Sequence, residues 1–421
     1  VAVTTSGRSE IVIVGGGLAG SAAAAVLAGQ GRDVLLLERD TEFTDQAKGE
    51  WLAPWGVAEA QRVGVIDFLL AAGGWEIRTL VNWDGVIDPA DALTQDMTEF
   101  TPGVGGPLGF ALHQVCTMLA TQAGFAGAQV VMGARKTTVV PGPEPVVRYE
   151  ADGRAHEVRA RLVLGAGGIT RPVGRQVGVG VTTSVHHWGG ALAVEGLTDW
   201  PADVQAYGTD GDVMFIVAPQ GYGRVRLYLN FAFETRRRFQ GPDGVRQFLD
   251  AFDLRCLPYG KQIAASTPAG PMRIGPAIAG VLDGSPVAEG VVLIGDEAGF
   301  NDVILGTGLA NALRDVRIVT ELLAENRDWG PATFQPYCDE RRTRMARLHH
   351  GARIICQLNA EFGPAAVARR RRAIALMTQN RMLRVFALLS IVAPEDVPEF
   401  GFSEFIIDRL LPTSTGPGGA S

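Results

Sequence analysis

After a polar lead the chain runs into an unbroken apolar stretch, Ile11-Val12-Ile13-Val14. This breaks into Gly15-Gly16-Gly17-Leu18-Ala19-Gly20 and then into small residues from Ser21 to Leu27. A β-prone run that ends in glycine and continues as an alanine-rich segment predicts a buried strand feeding a helix through a tight turn. Gly31 stops that helix, and Asp33-Val34-Leu35-Leu36-Leu37-Glu38 predicts a second parallel strand ending in an acid. The same buried texture returns at Arg161 to Gly165 and at Val291 to Ile294, which bring the chain back to one sheet. From Val181 the pattern shortens. Ala191–Val194, Val204–Tyr207, Val213–Val217 and Val225–Phe231, separated by glycine-rich turns, predict an antiparallel sheet. Beyond Leu305 the periodicity is helical, over Leu305–Ala324, Pro331–Leu358 and Ala365–Met377, with an apolar end from Met382 and a disordered tail over Pro412–Ser421.

These elements carry chemistry at two places. In the first turn, Gly15 permits the bend, Gly17 lets backbone approach a pyrophosphate, and Gly20 lets helix and strand pack closely. The amides of Leu18 and Ala19 open the helix and face the phosphates, while Glu38 stands where a carboxylate accepts the hydroxyls of an adenosine ribose. Alone, this fingerprint does not separate NAD, NADP and FAD. The second place is the strand ending in Gly295-Asp296-Glu297-Ala298-Gly299-Phe300, followed by Gly306-Thr307-Gly308 and a helix. A flavin needs an acceptor for its ribityl hydroxyls and positive potential at its pyrimidine edge. Asp296 suits the first, and the amides opening the helix at Gly306 and Gly308 suit the second.

With both motifs in place, the chain resembles the FAD-dependent monooxygenases of the p-hydroxybenzoate hydroxylase type, whose second motif runs G-D-A-A-H-x-x-x-P-x-x-G-x-G. Gly295, Asp296, Ala298, Gly306, Gly308 and, in the following helix, Asp315 fall on that pattern at unchanged spacing. The resemblance implies an α/β fold: a Rossmann-like FAD-binding domain built from residues 1–75, 107–180 and 285–330, and an inserted antiparallel-sheet substrate domain from 76–106 and 181–284. A helical C-terminal region over 331–421 completes it. It further implies FAD as cofactor, NADPH or NADH as reductant, and oxygen transfer from a flavin hydroperoxide to a bound apolar molecule, by hydroxylation or epoxidation, plausibly in natural-product biosynthesis. By the same resemblance, Arg39 follows the ribose acid. Lys48 stands near the flavin ring or substrate entry, or is a surface cation. His113 stands where the family places an arginine on the FAD phosphates, or is a helix-end contact.

Departures from the family pattern set flavin binding apart from flavin use. The middle motif D-G-x-x-S-x-x-R reads Gly167-Gly168-Ile169-Thr170-Arg171-Pro172-Val173-Gly174, so the acid, the serine and the terminal arginine are all replaced. Val303 stands for the proline of the second motif and Glu297 for a small residue. Direct reduction by a nicotinamide is therefore in question, and a redox-neutral cyclase that keeps FAD as a structural element is the alternative. The Gly-Asp-Glu-Ala-Gly-Phe run also resembles geranylgeranyl-reductase-like flavoproteins. The chain lacks the W-x-W-x-I-P of flavin halogenases and the C-x-x-x-x-C of disulfide reductases.

Composition narrows the rest. A net charge of −7 and an apolar fraction of 47% describe an ordinary globular protein with no need of nucleic acid. Four scattered cysteines show no metal or disulfide spacing, no stretch is long enough for a membrane span, and the polar start lacks a signal peptide's apolar core. The expectation is a cytoplasmic enzyme with a small-molecule substrate, no metal, and homodimerisation left open. The basic run Arg369 to Arg372 is read as a solvated helix face. For the substrate side the candidates are His186 (or its neighbour His187), Trp188, Val303, and the aromatic side chains Phe215 and Tyr228. The last two are taken as a wall facing the flavin. With the cofactor carrying the hard step, no catalytic residue is assigned.

Overall fold

The computed structural model describes residues 5–47, 49–380, 383, 391–403, 405 and 411. Lys48, most of the apolar end from Met382 and the tail Pro412–Ser421 lie outside the described residues.

The first sheet is organised around the opening strand, Thr5–Val14, which lies parallel between Arg154–Gly165 and Val34–Leu37. Gln129–Val131 extends it on one side and Val291–Leu293 on the other, again in parallel. Because these central strands are covered on both faces, their side chains are apolar without alternation. Ile11 and Ile13 pack beneath the helices Leu18–Gly29 and Gly308–Glu325, and Val12 and Val14 face a second cluster with Val147 and Tyr149 of the adjoining hairpin. The polar residues before Ile11 are also strand, pairing Thr5 with His156 through Ser9 with Ala160. Apolar patterning missed them because Gly7 and Arg8 are exposed and Glu10 half-buried, so the pairing here is carried by backbone and not by buried apolar side chains.

The second sheet runs Thr267–Pro268, Gly180–Glu195, Val225–Phe231, Val213–Pro219, Val204–Asp210, Thr79–Asn82 and Leu93–Asp96, with Arg273–Asp283 also paired to Gly180–Glu195. It is antiparallel except where Val204–Asp210 meets Thr79–Asn82 in parallel. Here the period of two is strict. Val213, Phe215, Val217, Val225, Leu227, Leu229 and Phe231 point to one face, against Phe239, Phe248 and Phe252. Met214, Ile216, Ala218, Tyr228 and Asn230 point to the other face, toward the first sheet. The C-terminal helices Gln335–Asn359 and Pro364–Gln379 close the space between the sheets, with Ile354, Leu358, Ile374 and Met377 packed together.

Candidate flavin and substrate site

The first turn separates its glycines by role. Gly15 holds φ at +109°, and a Cβ there would lie 2.4 Å from the Ala166 carbonyl oxygen, while a Cβ on Gly20 would lie 1.8 Å from the Gly15 oxygen. Those two are packing glycines. A Cβ on Gly17 would meet nothing within 4 Å, so this position is small for the sake of something the chain itself does not supply. The helix Leu18–Gly29 begins with no side-chain cap and no acid in its first turn, which leaves its amides turned outward for an anion. Glu38 sits beside them, its Oε2 accepting from Gly16 N at 2.6 Å and its Oε1 from Asp40 N at 2.9 Å. Arg39 is largely exposed and pairs with Asp40 at 3.3 Å.

The second motif faces the same space. Gly17, Leu18, Ala19, Asp296, Gly306 and Gly308 all line one cavity of about 660 Å³. Gly295 N donates to Asp315 at 2.8 Å, which fixes the turn that presents Asp296. The helix Gly308–Glu325 likewise starts without a side-chain cap or first-turn acid. Gly306 adopts φ +66° under Trp51, where a Cβ would lie 2.9 Å from the ring. Among the described residues, Trp51 Nε1 and Asn301 Oδ1 are buried in this wall with no partner, a donor and an acceptor left for a ligand. Open glycine, two uncapped helix starts, the ribose acid and Asp296 together fit FAD.

Two departures noted in the sequence prove to be one contact. The Glu297 carboxylate, fully buried, accepts from Gly167 N at 2.6 Å, Val173 N at 2.9 Å and Gly174 N at 2.8 Å. Arg171, in the left-handed region at φ +50°, donates through Nε to the Glu297 carbonyl and through Nη2 to Val179 O, both at 2.9 Å. A Cβ on Gly167 would strike Pro172 at 2.4 Å and Glu297 Oε2 at 2.7 Å. The middle motif is thus rebuilt with its acid supplied from the second motif.

The substrate candidates separate by strand parity. Tyr228 lines the cavity, but Phe215 does not; it is buried on the opposite face against Phe252, since odd and even positions of paired strands face opposite ways. The wall aromatic there is replaced by Met214 and Ile216. His186 is exposed, and His187 is the inward histidine, its Nε2 lying 3.0 Å from Asp302 Oδ1. The strand slips register between Val185 and His187, which resets its facing. Trp188 stacks edge-on to Phe233 at 6.3 Å and packs against the far core instead of the cavity. Val303 lines the cavity and is 63% exposed. Asp302 just before it accepts from Ile304 N at 3.0 Å. Burial pushes its carboxyl up, but the bond and charge of His187, the Ile304 amide and the charge of His186 together hold it below the usual range. Cys356 Sγ approaches Asp302 Oδ2 at 3.8 Å, so this trio is joined by hydrogen bonds.

His113 is half-buried on the helix Leu112–Phe125, and burial lowers its pKa against the opposing charge of Asp45. Its neighbour Leu112 lines the cavity. Sequence reasoning missed a charged cluster at the same wall. Arg226, fully buried, pairs with Glu50 and, at 3.0 Å, with Asp45. The Tyr228 hydroxyl donates to Glu50 at 3.4 Å. Burial pushes the Glu50 carboxyl up despite Arg226, and the Tyr228 phenol well up. The signal was present, for an arginine in the otherwise apolar alternation Val225–Phe231 is a buried charge needing a partner. Arg370 was missed for the opposite reason. It sits in the basic run read as solvated, yet it is 3% exposed and bonded to Asp84 at 3.1 Å, and it lines the cavity.

Residues 8–352 match the family model of the FAD binding domain. Digeranylgeranylglycerophospholipid reductase 2 of Methanococcoides burtonii is 27% identical over 82% of this chain and 83% of its own. Among solved structures, p-nitrophenol 4-monooxygenase of Pseudomonas putida superposes with a TM-score of 0.75 at 15% identity, over 91% of this chain and 98% of that one. A Diels-Alderase of pyrroindomycin biosynthesis superposes with a TM-score of 0.70 or better (0.71) at 18% identity, over 91% of this chain and 80% of that one. Among the described residues no helix is long and apolar enough to cross a membrane. With its two glycine turns and Asp296 converging on one cavity, Glu38 bonded to the first of those turns, and the family model spanning most of its length, the chain belongs to the FAD binding domain family of flavin-dependent oxidoreductases.

Proposed function

We propose that the protein is an FAD-dependent monooxygenase that hydroxylates or epoxidises an apolar organic molecule, in natural-product biosynthesis, with a nicotinamide as reductant. The observation that carries this reading is the continuity of the cavity. The space lined by Asp296 and Gly306 runs directly into walls of Leu80, Leu93, Met97, Ile216 and Ile374. FAD, when bound, supplies the redox and oxygen chemistry, and the protein supplies position and exclusion of water. Val303 and Leu305 border the flavin side, the apolar walls hold the substrate, and the Tyr228 hydroxyl, bonded to Glu50, holds a proton at the cavity surface.

A second reading, reduction of an isolated double bond, is supported by the match to a prenyl-lipid reductase over most of both chains. A third reading, the redox-neutral cyclase, rests on the replaced side chains of the 167–174 segment, where Glu297 meets only backbone amides. Anaerobic mixing of the oxidised holoprotein with NADPH or NADH, followed by isotopic O₂ and a panel of apolar polyenes and polyaromatics, separates the three. Flavin bleaching and one labelled oxygen in the product are expected. A hydrogenated product without label would establish the reductase, and product without bleaching would establish the cyclase.

A further inference from the structure

The cavity does not end in hydrocarbon. Asn82 and Gln95, on the adjacent strands Thr79–Asn82 and Leu93–Asp96 that end the second sheet, line it there and are 4% and 7% exposed. Asn82 Oδ1 and Gln95 Oε1 are both buried, and among the described residues neither has a partner. Gln95 is oriented without ambiguity, because its Nε2 donates to Asp96 O at 3.1 Å and Glu99 Oε2 at 3.3 Å, leaving the carbonyl oxygen as the free end. Leu80 pairs with Gln95, and Asn82 follows Leu80 by two residues, so both amides stand on one face as diagonal neighbours. Arg370 borders the same end, but its charge is matched by Asp84 at 3.1 Å, itself fully buried and accepting from Val86 N and Thr209 N. The end is therefore polar, with the Gln95 carbonyl oxygen as a fixed acceptor and the Asn82 amide beside it.

We infer that Asn82 and Gln95 form a recognition subsite for a neutral hydrogen-bond donor on the substrate, of the phenolic or alcoholic hydroxyl class. A carboxylate or phosphate is disfavoured there, because the fixed Gln95 carbonyl oxygen and the Glu99 carboxylate bonded to its amide repel it, and Arg370 is already paired with Asp84. Strand order separates this subsite from Tyr228. Asn82 pairs with Tyr207, Tyr207 with Ile216 and Ile216 with Tyr228, three strand spacings or about 14 Å. The substrate is then an apolar body with a hydroxyl-bearing end held away from the Tyr228–Glu50 pair. The inference rests on reading this cavity as the substrate site.

The test uses oxidised, FAD-loaded protein without reductant, titrated calorimetrically with 2,7-dihydroxynaphthalene and with 2,7-dimethylnaphthalene. The two probes are close in shape and differ in donors. Leaving buried acceptors unpaired is costly, so the diol is expected to bind at least tenfold more tightly. In the double variant Asn82→Leu/Gln95→Met the ratio should fall to one or reverse, with the dimethyl probe bound as well as before, which reports an intact fold. Equal affinities in the parent, no binding of the diol, or an unchanged ratio in the double variant would each overturn the inference. Should the double variant fail to hold FAD, the parent's ratio decides. Absence of oxygen transfer would sink the monooxygenase reading while leaving the probe ratio untouched.

Discussion

Replacing Glu297 by alanine removes the acceptor of three amides at once, the buried ones of Val173 and Gly174 and the half-buried one of Gly167. A buried donor left without a partner costs about 1–3 kcal/mol, and one water entering the vacated space recovers part of it, so the net loss is about 3–5 kcal/mol. At about 2.1 cal/mol/K per residue, the unfolding entropy of 421 residues is roughly 0.9 kcal/mol/K, which turns that loss into a fall in Tm of about 3–6 °C. Glu297→Gln should fall less. It keeps an oxygen for Val173 and Gly174 and sets an amide group against Gly167 N, a loss of about 1–3 kcal/mol. Because Asp296 precedes Glu297 in the same turn, FAD content should fall with Tm in the alanine variant. Differential scanning fluorimetry and flavin absorbance read both. An alanine variant that melts within 1 °C of the parent (about the resolution of such a scan) and carries full FAD would refute the rebuilt-motif argument.

Gly17→Ala should weaken FAD binding at least tenfold while leaving the melting temperature of the apoprotein unchanged, whereas Gly20→Ala, which drives a Cβ into the Gly15 carbonyl, should destabilise the apoprotein itself; equal effects of the two would contradict the division of roles. Phe215→Ala should cost about 3–5 kcal/mol of stability by emptying a core position, while Tyr228→Phe should leave stability near the parent's and change substrate binding. The pKa of Asp302 lies below its ordinary 3.8 in the folded protein, so its ionised form contributes stability that is present above that value and lost as pH falls through the lowered one. Melting curves taken downward from neutral pH should therefore steepen below about pH 4 in the parent and less so in Asp302→Asn. Burial pushes the Cys256 thiol up to about 12, so a disulfide reagent at pH 8 (more than three units lower, by order of magnitude) should leave it unmodified until the protein is unfolded.

The cofactor half of the site was legible because it is written in local backbone chemistry. A strand, a glycine turn and a helix start fall within a short stretch at Ile11 to Leu27 and again at Val291 to Ala312, and the two together, with the family resemblance they carry, point to a flavin dinucleotide. The substrate half was legible only as texture. Choosing Phe215 over Met214 or Ile216 needs the facing of a strand whose neighbours on either side are both apolar, and the burial of Val213–Pro219 on both faces erases the alternation that would reveal it. Arg370 was misread, and the role of Glu297 left unread, for a related reason. Each is satisfied by residues far away in sequence, Asp84 and the 167–174 segment, and no local pattern announces a partner at that range.

The helix Gln335–Asn359 joins two jobs in one rigid body. Near its start Arg341 grips the carbonyls of Gly295 and Gly299, and Arg344 grips Asp315, while its last turns present Ile355 and Leu358 to the cavity. The stretch matching the family ends at residue 352, between those two halves. Beyond it, Ile355, Leu358, Arg370, Ile374 and Met377 line the cavity. On the proposed reading of the cavity, changes confined to the tail of the chain would reshape one part of the substrate wall while leaving the flavin cradle as it was.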